Sequence, residues 1–203
     1  MAAPGERHDL CPGAWVDLWP RAIAGHEAWL ERLRGELPLG TETYRIAGRE
    51  VSAARLVSWH GDPGTDYVYS GVFHTPLPWT PGLAELRAAI EATTGLGFNS
   101  VLANYYGDGA AGIGWHADAE PEVGPSVDDR WIASLSLGAP RRFVLRHRRR
   151  RDDQLELTLG EGALLVMRGT TQTHYRHAAP RTARAVGPRL NLTFRHIRPP
   201  PPP

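Results

Sequence analysis

The sequence has a single cysteine and no long apolar run. Cys11 alone cannot form an intrachain disulfide, which suits a reducing compartment. No segment approaches the roughly 20 apolar residues of a membrane-spanning helix, and the N-terminus lacks the apolar segment of a signal peptide. We therefore expect a cytoplasmic protein with no membrane partner, and 203 residues suffice for one domain with a full core.

Lysine is absent, so all 23 basic residues are arginines. Residues 1–130 hold 9 arginines and 18 acidic residues, whereas residues 131–203 hold 14 arginines and 4 acidic residues. Arginine contacts phosphate in a planar, bidentate manner that lysine cannot reproduce. The basic part of the chain therefore favours an anionic polymer as partner. The alternative is that the protein simply uses arginine as its basic residue, and that positive and negative charges are mixed on the folded surface.

The first half of the chain predicts two helices. Apolar residues recur at helical spacing over residues 20–37, which predicts an amphipathic helix. Thr80 followed by Pro81 is typical of a helix start, and Gly95 is typical of its end. Residues 1–14 mix proline, glycine and charge without periodicity, and we expect a poorly ordered extension there.

Alternating apolar and polar residues predict short strands in the rest of the chain. Many short strands after two helices indicate an antiparallel sandwich or barrel with the helices packed on one side. The final residues, 199–203, are expected to be an exposed proline tail. Strands are predicted within residues 41–59, 98–106, 131–137, 155–159, 163–167 and 190–194.

His116 and Asp118 follow a glycine-rich stretch, residues 107–114. If the chain is extended here, side chains two residues apart point to the same face, where both could ligate one metal ion. A surface turn with a solvated aspartate is the alternative, because such pairs often arise by chance. A metal site therefore requires a third ligand elsewhere in the sequence.

Two histidines, His174 and His177, lie in a later segment, and either could supply that third ligand. Two histidines and one carboxylate on one face of Fe(II) leave positions open for a co-substrate and dioxygen, as in non-haem oxygenases. Zinc more often has another nitrogen or sulfur ligand. The pattern therefore favours iron.

Residues 189–195 alternate polar and apolar side chains, which predicts a strand with one cationic face. Two arginines on one strand face beside a metal suit a small dicarboxylate. Asn104 and Tyr106, just before His116, offer neutral hydrogen bonds to the same molecule. A solvent-facing edge strand is the alternative. The polar face would hold Arg189, Asn191, Thr193 and Arg195, and the apolar face Leu190, Leu192 and Phe194.

Taken in order, the motifs Asn-x-Tyr, His-x-Asp, a distant histidine and Arg-x-Asn-x-x-x-Arg resemble the AlkB family of Fe(II)- and 2-oxoglutarate-dependent dioxygenases. Its members remove alkyl groups from nucleic-acid bases, and the resemblance, over residues 61–197, is strongest to those that repair DNA. It implies an α+β fold, a double-stranded β-helix (jelly roll), with residues 15–198 as a single dioxygenase domain. It also implies oxidative dealkylation with Fe(II), O2 and 2-oxoglutarate, releasing an aldehyde, succinate and CO2.

The resemblance implies a role for each motif residue. It assigns His116, Asp118 and His177 to the iron and leaves His174 as a neighbour. For 2-oxoglutarate, it implies that Arg189 and Tyr106 bind the far carboxylate, that Arg195 and Asn104 lie near the chelating end, and that Asn191 supports both arginines.

The resemblance also implies contacts with the damaged base. Tyr69 stands where family members place a ring that stacks on a flipped-out base, and Tyr67 is close enough to hydrogen-bond it. The alternative is that the two tyrosines, which share one strand face, only pack against other parts of the protein. Glu120 matches an acidic residue that contacts the base, and a carboxylate there suits bases made cationic by alkylation.

A basic segment and a hairpin complete the expected nucleic-acid contacts. Residues 146–151 hold five arginines, and we expect Arg148 and Arg149 to contact phosphates, with a solvated hairpin tip as the alternative. Family members that act on duplexes carry a bulky apolar wedge on an earlier hairpin. Ile46 could act as that wedge, but no aromatic residue is present, so strand preference is undecided.

The predicted partner is alkylated DNA, and we expect the protein to be a monomer. Three other functions fit the sequence: a 2-oxoglutarate oxygenase acting on RNA, protein or a small molecule, a metal-binding jelly roll without catalysis, and a basic nucleic-acid-binding protein with an incidental pocket.

Overall fold

The computed structural model describes residues 4–46, 49–69, 72–119, 123–124 and 130–198. Within them the chain forms three helices and fourteen strands. The helices are α1 (His26–Glu36), α2 (Pro81–Thr94) and α3 (Thr171–His174). The strands are β1 (Glu6–Asp9), β2 (Ala14–Trp19), β3 (Gly40–Ile46), β4 (Arg49–Gly61), β5 (Tyr67–Tyr69), β6 (Val72–His74), β7 (Ser100–Tyr106), β8 (Ile113–His116), β9 (Trp131–Gly138), β10 (Arg141–His147), β11 (Gln154–Leu159), β12 (Ala163–Gly169), β13 (Tyr175–Ala179) and β14 (Arg189–Arg195).

The strands form two main sheets and one separate pair. The larger sheet has eight strands in the order β1-β2-β12-β9-β14-β7-β4-β3, and the smaller has four in the order β11-β10-β13-β8. Neighbouring strands are antiparallel in both, and β5 pairs with β6. This architecture confirms the predicted jelly roll.

Helices α1 and α2 pack on the outer face of the larger sheet. Leu33 of α1 and Leu86 of α2 belong to one buried cluster with Leu135 of β9 and Leu192 of β14. The helices thus cover one side of the sheet, as the sequence predicted, because every second residue of these strands is apolar and needs a partner layer.

A second apolar cluster lies between the two sheets. Ile132 and Met167 come from the larger sheet, whereas Phe143 and Leu145 come from the smaller one. This cluster fills only part of the space between the sheets. The other inward positions of β9 and β14 are polar, and those positions line the site described below.

The prediction of a poorly ordered N-terminal extension is wrong for residues 6–14. Residues Glu6–Asp9 form β1, which pairs with β2 at the edge of the larger sheet. A tight turn follows, in which the N–H of Ala14 donates to the carbonyl of Cys11 (2.8 Å). The side chains of β1 are mostly exposed, and an edge strand of this kind gains its backbone hydrogen bonds without an alternating apolar pattern. The predicted proline tail lies outside the described residues.

The first helix is shorter than predicted, because it begins at His26 rather than near residue 20. The N–H of Ile23 donates to the carbonyl of Gly162 (3.2 Å), which ties this segment to the turn between β11 and β12. Gly25 then has a positive φ of 64°, a conformation outside a right-handed helix. Tertiary contacts therefore set this boundary.

The second helix has the predicted limits. The N–H of Leu83 donates to the hydroxyl of Thr80 (3.3 Å), and Pro81 occupies the first turn. Gly95 ends the helix with a φ of 70°, and its N–H donates to the carbonyl of Glu91. None of the helices formed by the described residues has the length and apolar character required to cross a membrane.

Candidate active site

His116, Asp118 and His177 converge between the two sheets. His177 of β13 lies directly opposite His116 of β8 in the strand register. Nε2 of each histidine is 3.9 Å from a carboxylate oxygen of Asp118. One ligand atom from each residue can be chosen so that all three lie within 4.8 Å of one another. This donor set, two imidazoles and one carboxylate, fits a ferrous ion that keeps open coordination positions.

Hydrogen bonds hold the ring of His116 and the backbone of Asp118. Nδ1 of His116 is 2.8 Å from the carbonyl of Gly114; a carbonyl can only accept, so Nδ1 carries the hydrogen and the Nε2 lone pair is left for a metal. The N–H of Asp118 donates to Oε1 of Gln172 (3.0 Å). These bonds fix the orientation of the His116 ring and the position of the Asp118 backbone.

Charges around Asp118 keep its carboxylate ionised. Burial alone would raise the pKa of Asp118, but the positive charge of Arg195, whose Nη2 lies 3.0 Å from Oδ1, opposes burial, and the pKa lies well below its usual range. Burial, with the neighbouring His116, lowers the pKa of His177 to about 3. At neutral pH Asp118 is thus an anion and His177 a neutral imidazole, the forms in which these side chains bind a divalent ion.

The polar face of β14 forms the opposite wall of the same cavity. Arg189 lies opposite Tyr106 in the register between β14 and β7, and Asn191 lies opposite Asn104. The guanidinium of Arg189 is 5.3 Å from the centre of the Tyr106 ring. The cavity is lined by Arg55, Leu102, Asn104, Tyr106, Ile113, His116, Asp118, Ser134, Phe143, Met167, His177, Ala179, Arg189, Asn191, Thr193 and Arg195.

Arg189 has an unused hydrogen-bond donor inside this cavity. Its Nη2 donates to the hydroxyl of Ser136 (2.8 Å), whereas its Nε is buried without a hydrogen-bond partner among the described residues. A buried, unpaired guanidinium nitrogen is costly. The arrangement fits an anionic ligand such as the far carboxylate of 2-oxoglutarate, which would accept that bond.

Asn191 and Asn104 are held by hydrogen bonds to neighbouring side chains. Nδ2 of Asn191 donates to the hydroxyl of Ser134 (2.8 Å), and its Oδ1 accepts from Thr193 (3.1 Å). Nε of Arg55, on β4, donates to Oδ1 of Asn104 (2.7 Å). Because its oxygen is used in this way, Asn104 keeps its amide N–H groups for an acceptor in the cavity.

Comparison with known proteins identifies the family. The model of the 2OG-Fe(II) oxygenase superfamily matches residues 19–195. The chain belongs to this superfamily. It is 41% identical over 162 residues to the DNA oxidative demethylase ALKBH2 of Mus musculus. The aligned region covers 76% of this chain and 66% of that relative. It is 35% identical over 201 residues to the alpha-ketoglutarate-dependent dioxygenase alkB homolog 3 of Bos taurus, over 95% of the chain and 66% of the relative.

These relatives confirm the predicted membership of the AlkB family. The chain spans 66%, 60% and 57% of the length of the ALKBH2 proteins of Mus musculus, Homo sapiens and Bos taurus, respectively. The solved structure of OsALKBH1 superposes with a TM-score of 0.64 at 18% identity, and the match covers 94% of this chain and all of that one. The structural likeness confirms the fold.

The residues predicted for the metal and the co-substrate of this AlkB-family protein all line one cavity. Of the two candidate third ligands, His177 lies in the cavity, whereas His174 lies outside it and stacks on His147 at 6.1 Å. Both residues that the sequence predicted for phosphate contact, Arg148 and Arg149, are exposed. Glu120, the side chains of Tyr67, Tyr69 and Ile46, and the turn of residues 47–48 lie outside the described part of the structure.

A second group with metal-binding chemistry is formed by Cys11, His147 and His174, whose ligand atoms also lie within 4.8 Å of one another. Nδ1 of His147 accepts the backbone N–H groups of Arg149 and Arg150, both at 3.1 Å. In the neutral ring the hydrogen is then on Nε2. Neither nitrogen of His147 has a lone pair left for a metal, and the group carries no metal site in this form.

Sequence reasoning missed several residues of the site. Arg55 and Gln172 are buried and polar, but each meets its partner across more than 45 residues of chain. Ser134 and Ser136 gave a signal, since they occupy the polar positions of an otherwise apolar strand. A polar residue at alternate positions of a buried strand predicts a lined cavity on that face.

Proposed function

We propose that this protein is an Fe(II)- and 2-oxoglutarate-dependent dioxygenase that removes alkyl groups from the bases of DNA. One observation carries the proposal: the His116–Asp118–His177 group and the cationic face of β14 share one cavity. The names of the relatives, a DNA oxidative demethylase and an alpha-ketoglutarate-dependent dioxygenase, support both the reaction and the substrate.

Iron bound with 2-oxoglutarate would supply the oxidising chemistry, in which O2 converts 2-oxoglutarate into succinate and CO2 and hydroxylates the N-alkyl carbon. The resulting hemiaminal breaks its C–N bond, which releases an aldehyde and restores the base. For a methyl group the aldehyde is formaldehyde. The remaining tasks, binding, orientation and control of charge, belong to the protein.

The metal-binding residues would act through their protonation states. His116 and His177 would hold the iron as neutral imidazoles, and Asp118 as a carboxylate. Arg195 would keep Asp118 ionised before metal arrives, since its guanidinium is 3.0 Å from the carboxylate. The buried position of Asp118 would exclude water from that side of the metal.

The co-substrate would lie along β14. Arg189 would bind the far carboxylate through its unused Nε, with Tyr106 against the guanidinium. Arg195 and Asn104 would lie near the chelating end, and Asn191 would support the arginines. Replacing Arg189 with glutamine would therefore raise the KM for 2-oxoglutarate.

The substrate roles of the remaining predicted residues are also proposals. Tyr69 would stack on the flipped base and Tyr67 would hydrogen-bond it, while Glu120 would face a cationic base. Ile46 would act as the wedge on a duplex. Arg148 and Arg149 would contact phosphates, which is consistent with their exposure.

Formaldehyde release tests the proposal. The full chain, supplied with Fe(II) and 2-oxoglutarate, is incubated with methylated DNA, single- and double-stranded, and in parallel with methylated RNA and methylated peptides. We expect release from DNA that requires both additions and is abolished in Asp118→Ala. Release from RNA or peptides alone would favour the other oxygenase hypotheses. Succinate formation without added iron would contradict an Fe(II)-dependent dioxygenase.

A further inference from the structure

Trp115 is exposed on the outer face of the smaller sheet. Its side chain is 41% exposed, and among the described residues only one other large apolar side chain, Leu77 at 43%, is similarly open. Since the next residue, His116, points into the cavity, strand alternation places Trp115 on the opposite face. An indole in this position is partly open to solvent.

Two arginines accompany Trp115 on this face. The guanidinium of Arg146 lies 4.0 Å from the centre of the Trp115 ring. Arg146 of β10 is also directly opposite Arg176 of β13 in the strand register. Like charges in directly opposed positions repel each other. An anion placed between the two guanidinium groups would remove this repulsion.

These arginines lack the acidic partners that others on the sheet have. Arg142, on the same face of β10, is paired with Glu156 at 2.6 Å. Within the described part of the chain, neither Arg146 nor Arg176 forms a salt bridge. Their charge is therefore available to an anionic ligand.

We propose that Trp115, Arg146 and Arg176 form a docking surface for a single nucleic-acid strand, the part that flanks the base in the active site. The inference rests on the proposed function. Aromatic side chains bind bases by stacking, without regard to sequence, and arginines bind the phosphates between them. One exposed ring and two arginines without acidic partners among the described residues match that chemistry.

The position of this surface suits a strand that also reaches the cavity. Trp115 and Arg176 immediately precede the metal-binding residues His116 and His177 on the same two strands. Strand β8 is the edge of the smaller sheet among the described residues, so a single strand separates the outer face from the cavity at this edge. Arg146 also begins the basic segment, residues 146–151, which extends the cationic surface.

Binding of an unmodified oligonucleotide isolates this surface from the chemistry of the cavity. A labelled single-stranded DNA of about 12 nucleotides is titrated with full-length protein, and the Kd is measured by fluorescence anisotropy. We expect Trp115→Leu to weaken binding about 5- to 100-fold. Trp115→Phe keeps a ring and should stay much closer to the wild type. Leu77→Ala, the matched exposed apolar control, should bind as the wild type does.

The salt dependence tests the arginines. Arg146→Gln and Arg176→Gln should each reduce the slope of log Kd against log salt concentration by about 0.7, the value for one phosphate contact on a single strand. Arg34→Gln removes the same charge from α1, on the far side of the larger sheet, and should leave the slope unchanged. Thermal unfolding of every variant checks that the fold is retained.

Two outcomes would contradict the proposed docking surface. One is a Trp115→Leu variant that binds DNA with wild-type affinity, and the other is a pair of arginine variants whose salt slopes match that of Arg34→Gln. Formaldehyde release by the wild type decides the proposed function separately. If the wild type releases none, yet binding responds to these variants as expected, the surface stands and the proposed chemistry fails. If release occurs but binding is indifferent to the variants, the surface is wrong and the chemistry stands.

Discussion

Gln172 links the segment that holds Asp118 to the wall of the cavity. Its Oε1 accepts the N–H of Asp118, and its Nε2 lies 3.2 Å from the sulfur of Met167, which lines the cavity. The side chain is 2% exposed, so water cannot replace either contact. Because both ends of the amide are used, its orientation is fixed, and so is the position of the Asp118 backbone.

We expect Gln172→Met to weaken metal binding by about 10- to 100-fold, the usual effect of losing a group that orients a ligand. Methionine has a similar volume, but its thioether sulfur is a much weaker acceptor for the N–H of Asp118 than the amide oxygen is. Calorimetric titration with Mn(II) measures the Kd directly, without turnover.

Thr171→Val is the matched control for this change. It removes a buried hydrogen bond from the same short helix, where the Thr171 hydroxyl donates to the carbonyl of Arg168 (2.6 Å), but it does not touch Asp118. We expect lower stability with unchanged Mn(II) affinity. Equal Mn(II) affinities in both variants and the wild type would show that Gln172 has no positioning role.

The candidate site was predictable at some residues and not at others. The His116–Asp118 pair and the alternation of residues 189–195 are local patterns, so the sequence alone indicated them. Arg55 joins the site only because β4 pairs with β7, whose Asn104 it contacts. Such a contact depends on strand order, which no short window of sequence contains.

At the scale of elements, the turn between β11 and β12 controls where α1 begins. Gly162 in this turn has a φ of 85°, and a Cβ there would overlap the carbonyl oxygen of Ile23. The carbonyl of Gly162 also accepts the N–H of Ile23. The glycine is needed for its backbone conformation and for the close approach of a second segment.

We expect Gly162→Ala to lower the free energy of unfolding by more than Gly64→Ala does. Gly64 has nearly the same φ, 84°, but nothing lies within 4 Å of a Cβ built there. Gly64→Ala should lower the free energy of unfolding only by the energy of placing alanine in this backbone conformation, about 1 to 2 kcal/mol. Gly162→Ala adds a backbone clash, and the difference should appear in urea unfolding. Equal losses would mean that the Ile23 segment moves aside freely.

The elements that the sequence predicted correctly are those with local determinants. Helix α2 carries both of its end signals within its own sequence, Thr80-Pro81 and Gly95, and its limits were predicted. The start of α1 depends on a contact with a turn more than 130 residues away, and β1 depends on pairing with β2. The sequence therefore placed the start of α1 too early and missed β1, because contacts with other segments determine both.

At the scale of the whole molecule, buried neutral histidines make stability depend on pH. His60 of β4 is buried and hydrogen-bonded on both ring nitrogens, to the Ser58 hydroxyl and the Pro78 carbonyl, both at 2.7 Å. Burial lowers the pKa of His60, against the opposing effect of the Pro78 carbonyl. In the metal-free protein the pKa of His177 is also lowered, to about 3.

The unfolded chain therefore binds protons more readily than the folded one at mildly acidic pH. We expect the stability of the metal-free protein to be highest above the ordinary histidine pKa of about 6.5 and to fall as the pH drops below it, by at most about 1.4 kcal/mol per pH unit for each histidine. Urea unfolding at several pH values from neutral to mildly acidic measures the slope.

His60→Gln tests the assignment of this slope. The variant should be less stable at neutral pH, since it loses buried hydrogen bonds, but its stability should depend less on pH than that of the wild type. An unchanged slope would exclude His60 as a contributor.

The site is divided between the two sheets. His116 and His177 belong to the four-stranded sheet, whereas Arg189 and Arg195 belong to the eight-stranded sheet on which α1 and α2 pack. Local opening of the smaller sheet would move both histidines away and leave the two arginines in place. On the proposed function, such a molecule would lose two of its three metal ligands, and with them the oxidising chemistry, while the larger sheet stays folded.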